Sequence, residues 1–212
     1  MIMKENSVLN YIGEVLKNMP DDWLNLTTHR LDIYDERLAK VQFLEHFEHL
    51  FNDLNSETSA LNALPTAFDY IRLGHPLSCV LEWVIARLNS LDPNNIISFS
   101  SKTIPVLAIL RANLLEGKDT LITYSGELPD ALDLHILRNV YGYTFDLKYV
   151  NNVSEIPVFH GSTIFITQQE DLYTLDLTPS IDFFITIHPH TGSVLSVNGA
   201  HNERYISDIQ HV

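Results

Sequence analysis

Apolar residues recur at helical spacing through the first third of the chain. Val8, Leu9, Ile12, Val15, Leu16 and Met19 form one stripe, with Ser7 placed as an N-cap and Pro20 as a stop. Leu38, Val41, Leu44, Phe47, Phe51 and Leu54 predict a second helix, and Asp35, Glu36, Lys40, Glu45, Glu48 and Asp53 fall mostly on its other faces. So broad and aromatic a stripe either docks on the domain behind it or presents a partner-binding surface. For the second case the expected contacts are Trp23, Phe43, Phe47 and Phe51, rimmed by Glu45 and Glu48. The stretch 55–65 is polar and then broken by proline, which predicts a boundary between a helical N-terminal extension, 1–65, and a second domain, 66–212.

From residue 75 the pattern alternates. Pro76 suits a first helical turn, and Leu77, Val80, Leu81, Val84, Ile85 and Leu88 follow as an apolar stripe. After the turn Asp92-Pro93-Asn94-Asn95, the residues Ile96, Ile97 and Phe99 suit a short buried strand. Residues 103–116 read as a helix closed by Gly117, with Val106, Leu107, Leu110 and Leu114 inward. Strands are expected at 120–124, 144–150, 163–167, 172–176, 183–187 and 194–197, with a helix at 127–140. Strands alternating with helices predict an α/β fold with a mostly parallel sheet.

The chain has 212 residues, 45% hydrophobic and 19% charged, which predicts a folded globule rather than a disordered chain. Its net charge of -14 disfavours nucleic acid and anionic membrane surfaces as partners and suits basic protein partners. Cys79 is the only cysteine, so no internal disulfide and no multi-cysteine zinc site is expected. The opening residues lack a signal-peptide core, and no apolar run approaches the roughly 18 residues of a membrane span, so a cytoplasmic location is expected.

The run Tyr70-Ile71-Arg72-Leu73-Gly74-His75-Pro76 followed by Leu81-Glu82 resembles the start of the cystathionine lyase and synthase family, fold-type-I pyridoxal-phosphate enzymes of cysteine and methionine metabolism. Phe99-Ser100-Ser101-Lys102-Thr103 stands where that family has Ser-Ser-Gly. Leu114, Leu115, Gly117 and Asp119 resemble its Leu-Leu-x-x-Gly-Asp, and the stretch from Gly142-Tyr143 to Val150 resembles its next strand. The resemblance runs from 69 to 187 with gaps. It implies a reduced large domain of that fold and a vestigial phosphate site at Ser100, Ser101, Lys102 and Thr103, with Tyr70 and Arg72 standing where the family's residues reach a neighbouring subunit's phosphate.

The same resemblance implies lost chemistry. The family's stacking tyrosine falls near Leu128. Asp176 stands for the pyridine-pairing aspartate, but the stretch before the next strand, Ile181 to Ile187, is much shortened. The family's Ser-x-Thr-Lys region aligns with Ile187-His188-Pro189-His190-Thr191-Gly192, and no lysine follows Lys148. The family's C-terminal small domain is also not expected here. A Schiff-base lysine is indispensable to that chemistry, so catalysis is not expected, and neither a bound cofactor nor a metal.

His188 and His190 flank Pro189, and with Asp182 or Glu203 they form the one metal arrangement to weigh, against a simple histidine turn. His46 and His49 lack an HExxH pattern, Ser125-Gly126 lacks a nucleophile elbow, and Cys79 reads as a packing thiol. The expected function is a non-catalytic pseudoenzyme subunit, a small acidic cytosolic adaptor or chaperone that binds proteins; delivery of clients to secretion machinery is an analogy from size and charge. The alternatives are a noncovalent pyridoxal-phosphate protein or residual lyase using Lys102, and a metal-dependent hydrolase at His188 and His190.

Overall fold

The computed structural model describes residues 2–24, 39–65, 75–172, 175 and 177–198. It divides into two compact units, Met1–Asn94 and Asn95–Val212. The division falls well beyond the expected boundary near residue 65, because the helix after His75 packs into the helical core. Asp69, Tyr70, Arg72, Leu38, Asp176 and Glu203 lie outside the described residues.

The first unit contains α1 (Ile2–Asn18), α2 (Ala39–Asn52), α3 (Thr58–Asn62) and α4 (Pro76–Asn89). Helix α1 begins earlier than expected, which places Ser7 inside it rather than at its cap, and ends before Pro20. Val8, Tyr11 and Val15 face inward, whereas Leu9 and Leu16, one position off that stripe, are exposed. In α4, His75 caps the helix by accepting Leu77 N–H at Nδ1, and Pro76 fills the first turn as the sequence predicts.

The core of this unit is aromatic. Phe43, Phe47 and Trp83 are fully buried with Leu61 and Val15. The Trp83 ring meets Phe47 edge-on at 5.2 Å, and Phe43 stacks on Phe47 at 5.8 Å. Trp83 Nε1 donates to Glu48 Oε2 at 2.8 Å, and Arg87 Nε donates to the same oxygen at 3.1 Å, so the indole is buried with its polar atom satisfied. Lys40, expected on the polar face of α2, is instead buried with Glu82 of α4, their charged atoms 2.7 Å apart.

The second unit is a six-stranded sheet built from β1 (Ile96–Phe99), β2 (Thr120–Ser125), β3 (Asp146–Tyr149), β4 (Ser162–Gln168), β5 (Phe183–His188) and β6 (Gly192–Val197), in the order β1-β6-β5-β4-β2-β3. The pairs β2–β3, β2–β4 and β4–β5 are parallel, and β6 runs antiparallel to both neighbours. This is an α/β fold with a mixed sheet. Helix α5 (Ile104–Glu116) and the short α6 (Leu134–Asn139) complete it. Gly117 ends α5 in the left-handed conformation, as the sequence predicts.

Two expectations fail here. The helix expected over 127–140 forms only at 134–139. Pro129 sits in a turn, and Asp133 Oδ1 accepts the N–H groups of His135 and Ile136, so the capped start lies at 133. The strand expected at 172–176 does not form at Leu172 or Leu175, the described residues of that stretch.

Period-two alternation divides the sheet residues between two cores. Ile122, Ile164, Ile166, Phe183, Ile185, Ile187 and Leu195 join Val106, Ile109 and Leu110 of α5 and Leu137 of α6. Phe165 and Phe184 point the other way, into a smaller cluster with Val150, Ile156 and Ile181.

Two measurements check this packing. Truncating Lys40 alone leaves the Glu82 carboxylate buried without its ammonium, and the expected loss in a denaturant titration of Lys40→Ala is about 3–5 kcal/mol; the paired apolar replacement Lys40→Met with Glu82→Leu is expected to recover most of it. Burial pushes the Tyr11 hydroxyl, which donates to Asn55 O at 2.9 Å, up from 10.0 to about 12. The folded state holds this proton more tightly than the unfolded one. Stability is therefore unaffected below pH 10.0 and declines as pH rises through about 12. Tyr11→Phe should flatten that alkaline decline in chemical-denaturation curves.

Candidate functional site

In open α/β sheets ligands bind beyond the C-terminal ends of the parallel strands. Here that edge is formed by the β1–α5 connection, the residues after β2 and β4, and the β5–β6 turn. Ser100, Ser101, Lys102 and Thr103 all lie in the first of these.

The start of α5 is closed by its own side chains. Ser101 Oγ accepts the N–H groups of Thr103 and Ile104, each at 3.2 Å, so two donors that a phosphate would take are already used. The Ser101 carbonyl in turn accepts Ser193 Oγ–H at 2.5 Å. Lys102 Nζ donates to the Pro189 carbonyl at 2.7 Å, which ties the loop to the β5–β6 turn. Gly192 makes the approach possible: a Cβ there would collide with the Phe99 carbonyl oxygen, and its φ of 134° disfavours any side chain.

A cavity of about 320 Å³ opens beside this knot, lined by Lys102, Glu127, Leu128, Pro129, Asp130, Ala131 and Gln168. Gln168 Nε2 donates to the Glu127 carbonyl at 3.0 Å and holds the loop after β2 against β4. The residues present do not fit a bound pyridoxal phosphate: Ser101 Oγ takes the N–H groups at the helix start, Lys102 is bonded to Pro189, and Glu127 and Asp130 bring carboxylates to the adjoining cavity.

Among the described residues the histidine pair does not assemble a metal site. The His188 and His190 rings lie 6.0 Å apart, but His190 N–H donates to His188 Nδ1 at 3.2 Å, the hydrogen bond of a tight turn. Asp182 lies at the other end of β5 and its Oδ2 accepts Thr163 N–H at 2.7 Å. Among the described residues no three His, Cys, Asp or Glu side chains are grouped to hold a metal. His46 and His49 are exposed on α2, and His46 Nδ1 bonds to the Gln42 carbonyl. Two hydroxyls at this edge engage neighbours: Ser125 Oγ donates to Thr167 Oγ1 at 3.1 Å, and Ser193 Oγ donates to the Ser101 carbonyl.

Cys79 is buried in the helical core. Burial, reinforced by the Glu82 charge and opposed by Lys40, pushes its thiol up, far from a reactive thiolate. The expected protein-interface residues Trp23, Phe43 and Phe47 are buried in the same core, and Phe51 is half covered. Glu48 is held by Trp83 and Arg87; of the six, Glu45 alone is exposed. The aromatic stripe of α2 is therefore a core face. Sequence reading missed its centre, Trp83, because indole carries a polar atom and the aliphatic residues of α4 dominate the periodicity.

A larger cavity, about 620 Å³, opens at the opposite end of the strands. It is an open groove whose lining includes Asp119, Arg138, Tyr143, Phe145, Asp146 and Phe159. The Arg138 guanidinium lies 4.5 Å from the Phe145 ring centroid and donates to the Phe145 carbonyl at 3.3 Å. Asp119, Tyr143, Phe145 and Asp146 entered the sequence reading through the family resemblance, and Arg138 and Phe159 were not singled out; the aromatic run around Gly142 was the available signal.

Comparison with known protein families finds no family model that matches the chain, and comparison with curated proteins finds no matching sequence.

Removing the self-cap tests the closure of the α5 start. Ser101→Ala should lower unfolding free energy by about 1 kcal/mol in a urea titration, as expected for a structural cap.

Proposed function

We propose that this chain is a non-catalytic protein–protein interaction subunit, a pseudoenzyme that keeps a reduced pyridoxal-phosphate-transferase-like fold as a scaffold. The observation that carries this reading is the closure of the α5 start, where Ser101 and Lys102 use on the protein itself the groups that would hold a phosphate. The turn where the resemblance places the Schiff-base lysine reads His188-Pro189-His190. With a net charge of -14 the chain suits basic protein partners, and we place it in the cytoplasm as an adaptor or chaperone, with delivery to a secretion machine as one such role. No helix among the described residues is long and apolar enough to cross a membrane.

The second reading, a protein that binds pyridoxal phosphate through Lys102, requires Nζ to release the Pro189 carbonyl and a phosphate to displace the Ser101 hydroxyl from the start of α5.

A single experiment separates the two. The protein is purified gently from its native cell, analysed for bound proteins by mass spectrometry, and scanned for visible absorption. Stoichiometric partners with a colourless spectrum are the expected result. A partner-free yellow sample whose colour is lost in Lys102→Ala would overturn the adaptor reading in favour of the second.

A further inference from the structure

Strand β3 ends the sheet, and among the described residues no strand pairs with its outer side. The other edge strand, β1, is buried at Ile96 and Ile97, whereas Asp146, Lys148 and Tyr149 of β3 are exposed. An open edge strand is a template for another chain.

The hydrogen-bond phase of β3 is fixed by its neighbour. Val150 N–H, just past the strand, donates to the Tyr124 carbonyl of β2 at 2.9 Å. Main-chain groups alternate sides along a strand, so Asp146 and Lys148 turn theirs toward β2, and Leu147 and Tyr149 turn theirs to the free edge. Side chains alternate between faces in the same rhythm. Asp146 and Lys148 share one face. Leu147 and Tyr149 share the other, where Tyr149 meets Tyr124 edge-on at 5.5 Å.

We propose that β3 pairs antiparallel with β3 of a second copy of this chain, joining two six-stranded sheets across a two-fold axis, with Leu147 opposite its own copy. Such an interface is isologous, so every contact occurs twice. This register sets Asp146 opposite Lys148 of the second copy, and Lys148 opposite its Asp146, at the closely spaced positions between hydrogen-bonded pairs. Sliding to either neighbouring hydrogen-bonded register sets Asp146 against Asp146 or Lys148 against Lys148, which is repulsive. The alternation Asp-Leu-Lys-Tyr therefore selects one self-complementary register. Charges on an edge strand deter unlike strands; here the same charges accept a copy of themselves.

The groove at this end completes the fit. In the selected register Tyr149 of the second copy lies opposite Phe145, which lines the groove with Arg138 and Tyr143. The half-exposed Tyr149 ring is then within reach of the Phe145 ring and the Arg138 guanidinium. Within its own copy the exposed Lys148 makes a long bond, 3.4 Å, to the Glu155 carbonyl and a charge interaction with the Glu155 carboxylate, both of which the pairing with Asp146 would have to outweigh. This pairing is independent of the adaptor reading and stands or falls separately from it.

The test is a charge reversal read by sedimentation equilibrium of the full chain over a concentration series. The unaltered protein is expected to dimerise. Asp146→Lys alone, or Lys148→Asp alone, puts like charges opposite each other twice and should weaken the dimer about tenfold or more. The double variant Asp146→Lys with Lys148→Asp restores opposite charges and should restore the dimer. Both positions are exposed, and circular dichroism of each variant confirms that the fold is kept. A chain that is monomeric at every concentration overturns the proposal, as does a dimer insensitive to both single reversals or a double variant that stays as weak as the singles.

Discussion

Parallel strands that lie side by side must be joined by a connection that returns along the sheet, usually a helix that also covers one face. β4 and β5 are such a pair, and residues 169–182 join them with no helix among those described. The rest of the second unit follows from that economy. One face is covered by α5 and α6 over a continuous, mainly aliphatic core that also holds Phe145 and Phe183. On the other, Phe165 and Phe184 are covered by loop residues Val150, Ile156, Ile181, Leu175 and Leu177. Asp182 and Asn198 pin this thin cover. The Asp182 carboxylate accepts Thr163 N–H, and Asn198 Nδ2 donates to the Thr178 and Ile181 carbonyls. Loop main chain that would otherwise be buried without partners is satisfied in this way.

The ligand-binding end of an α/β sheet is formed by loops whose main-chain donors stay open. At this end the donors are consumed. Ser101, Lys102 and Ser193 join the β1–α5 loop to the β5–β6 turn by side chain to main chain bonds, and Gly192 permits the close backbone approach. The same contacts that close the site brace β1 against β6, so this end of the fold serves stability. The cavity that persists, against Glu127 and Asp130, carries the wrong charge for a phosphate.

The elements with strong periodicity or clear punctuation were legible in the sequence. Gly117 stopped α5, Pro76 opened α4, and the β-branched runs at 120–125, 162–168 and 183–188 formed strands. What failed needed tertiary information. Lys40 looked polar by composition, but Glu82 compensates its charge inside the core. The aromatic stripe of α2 is equally consistent with a core or an interface until Trp83 and Tyr11 are seen covering it. Asp133, as a cap, shortened α6 in a segment whose apolar spacing alone suggested a longer helix. The self-capping at Ser101 was hidden because serine before a helix is the same signal whether its hydroxyl faces a ligand or its own backbone.

These corrections move the place where an interaction is to be sought. The aromatic residues of the first unit are spent on its own core, where Phe43, Phe47 and Trp83 are closed to solvent. The large apolar side chains left exposed in the second unit include Val140, Tyr141, Tyr149 and Val158, and these belong to β3 or to the connections entering β3 and β4. Arg138, held over Phe145, keeps a cation among them in an otherwise acidic chain. A surface that combines a strand edge unpaired among the described residues, exposed aromatic rings and alternating charge satisfies main-chain, apolar and electrostatic requirements together. The α2 face satisfies none of them once folded, since its rings are covered and Glu48 is already bound.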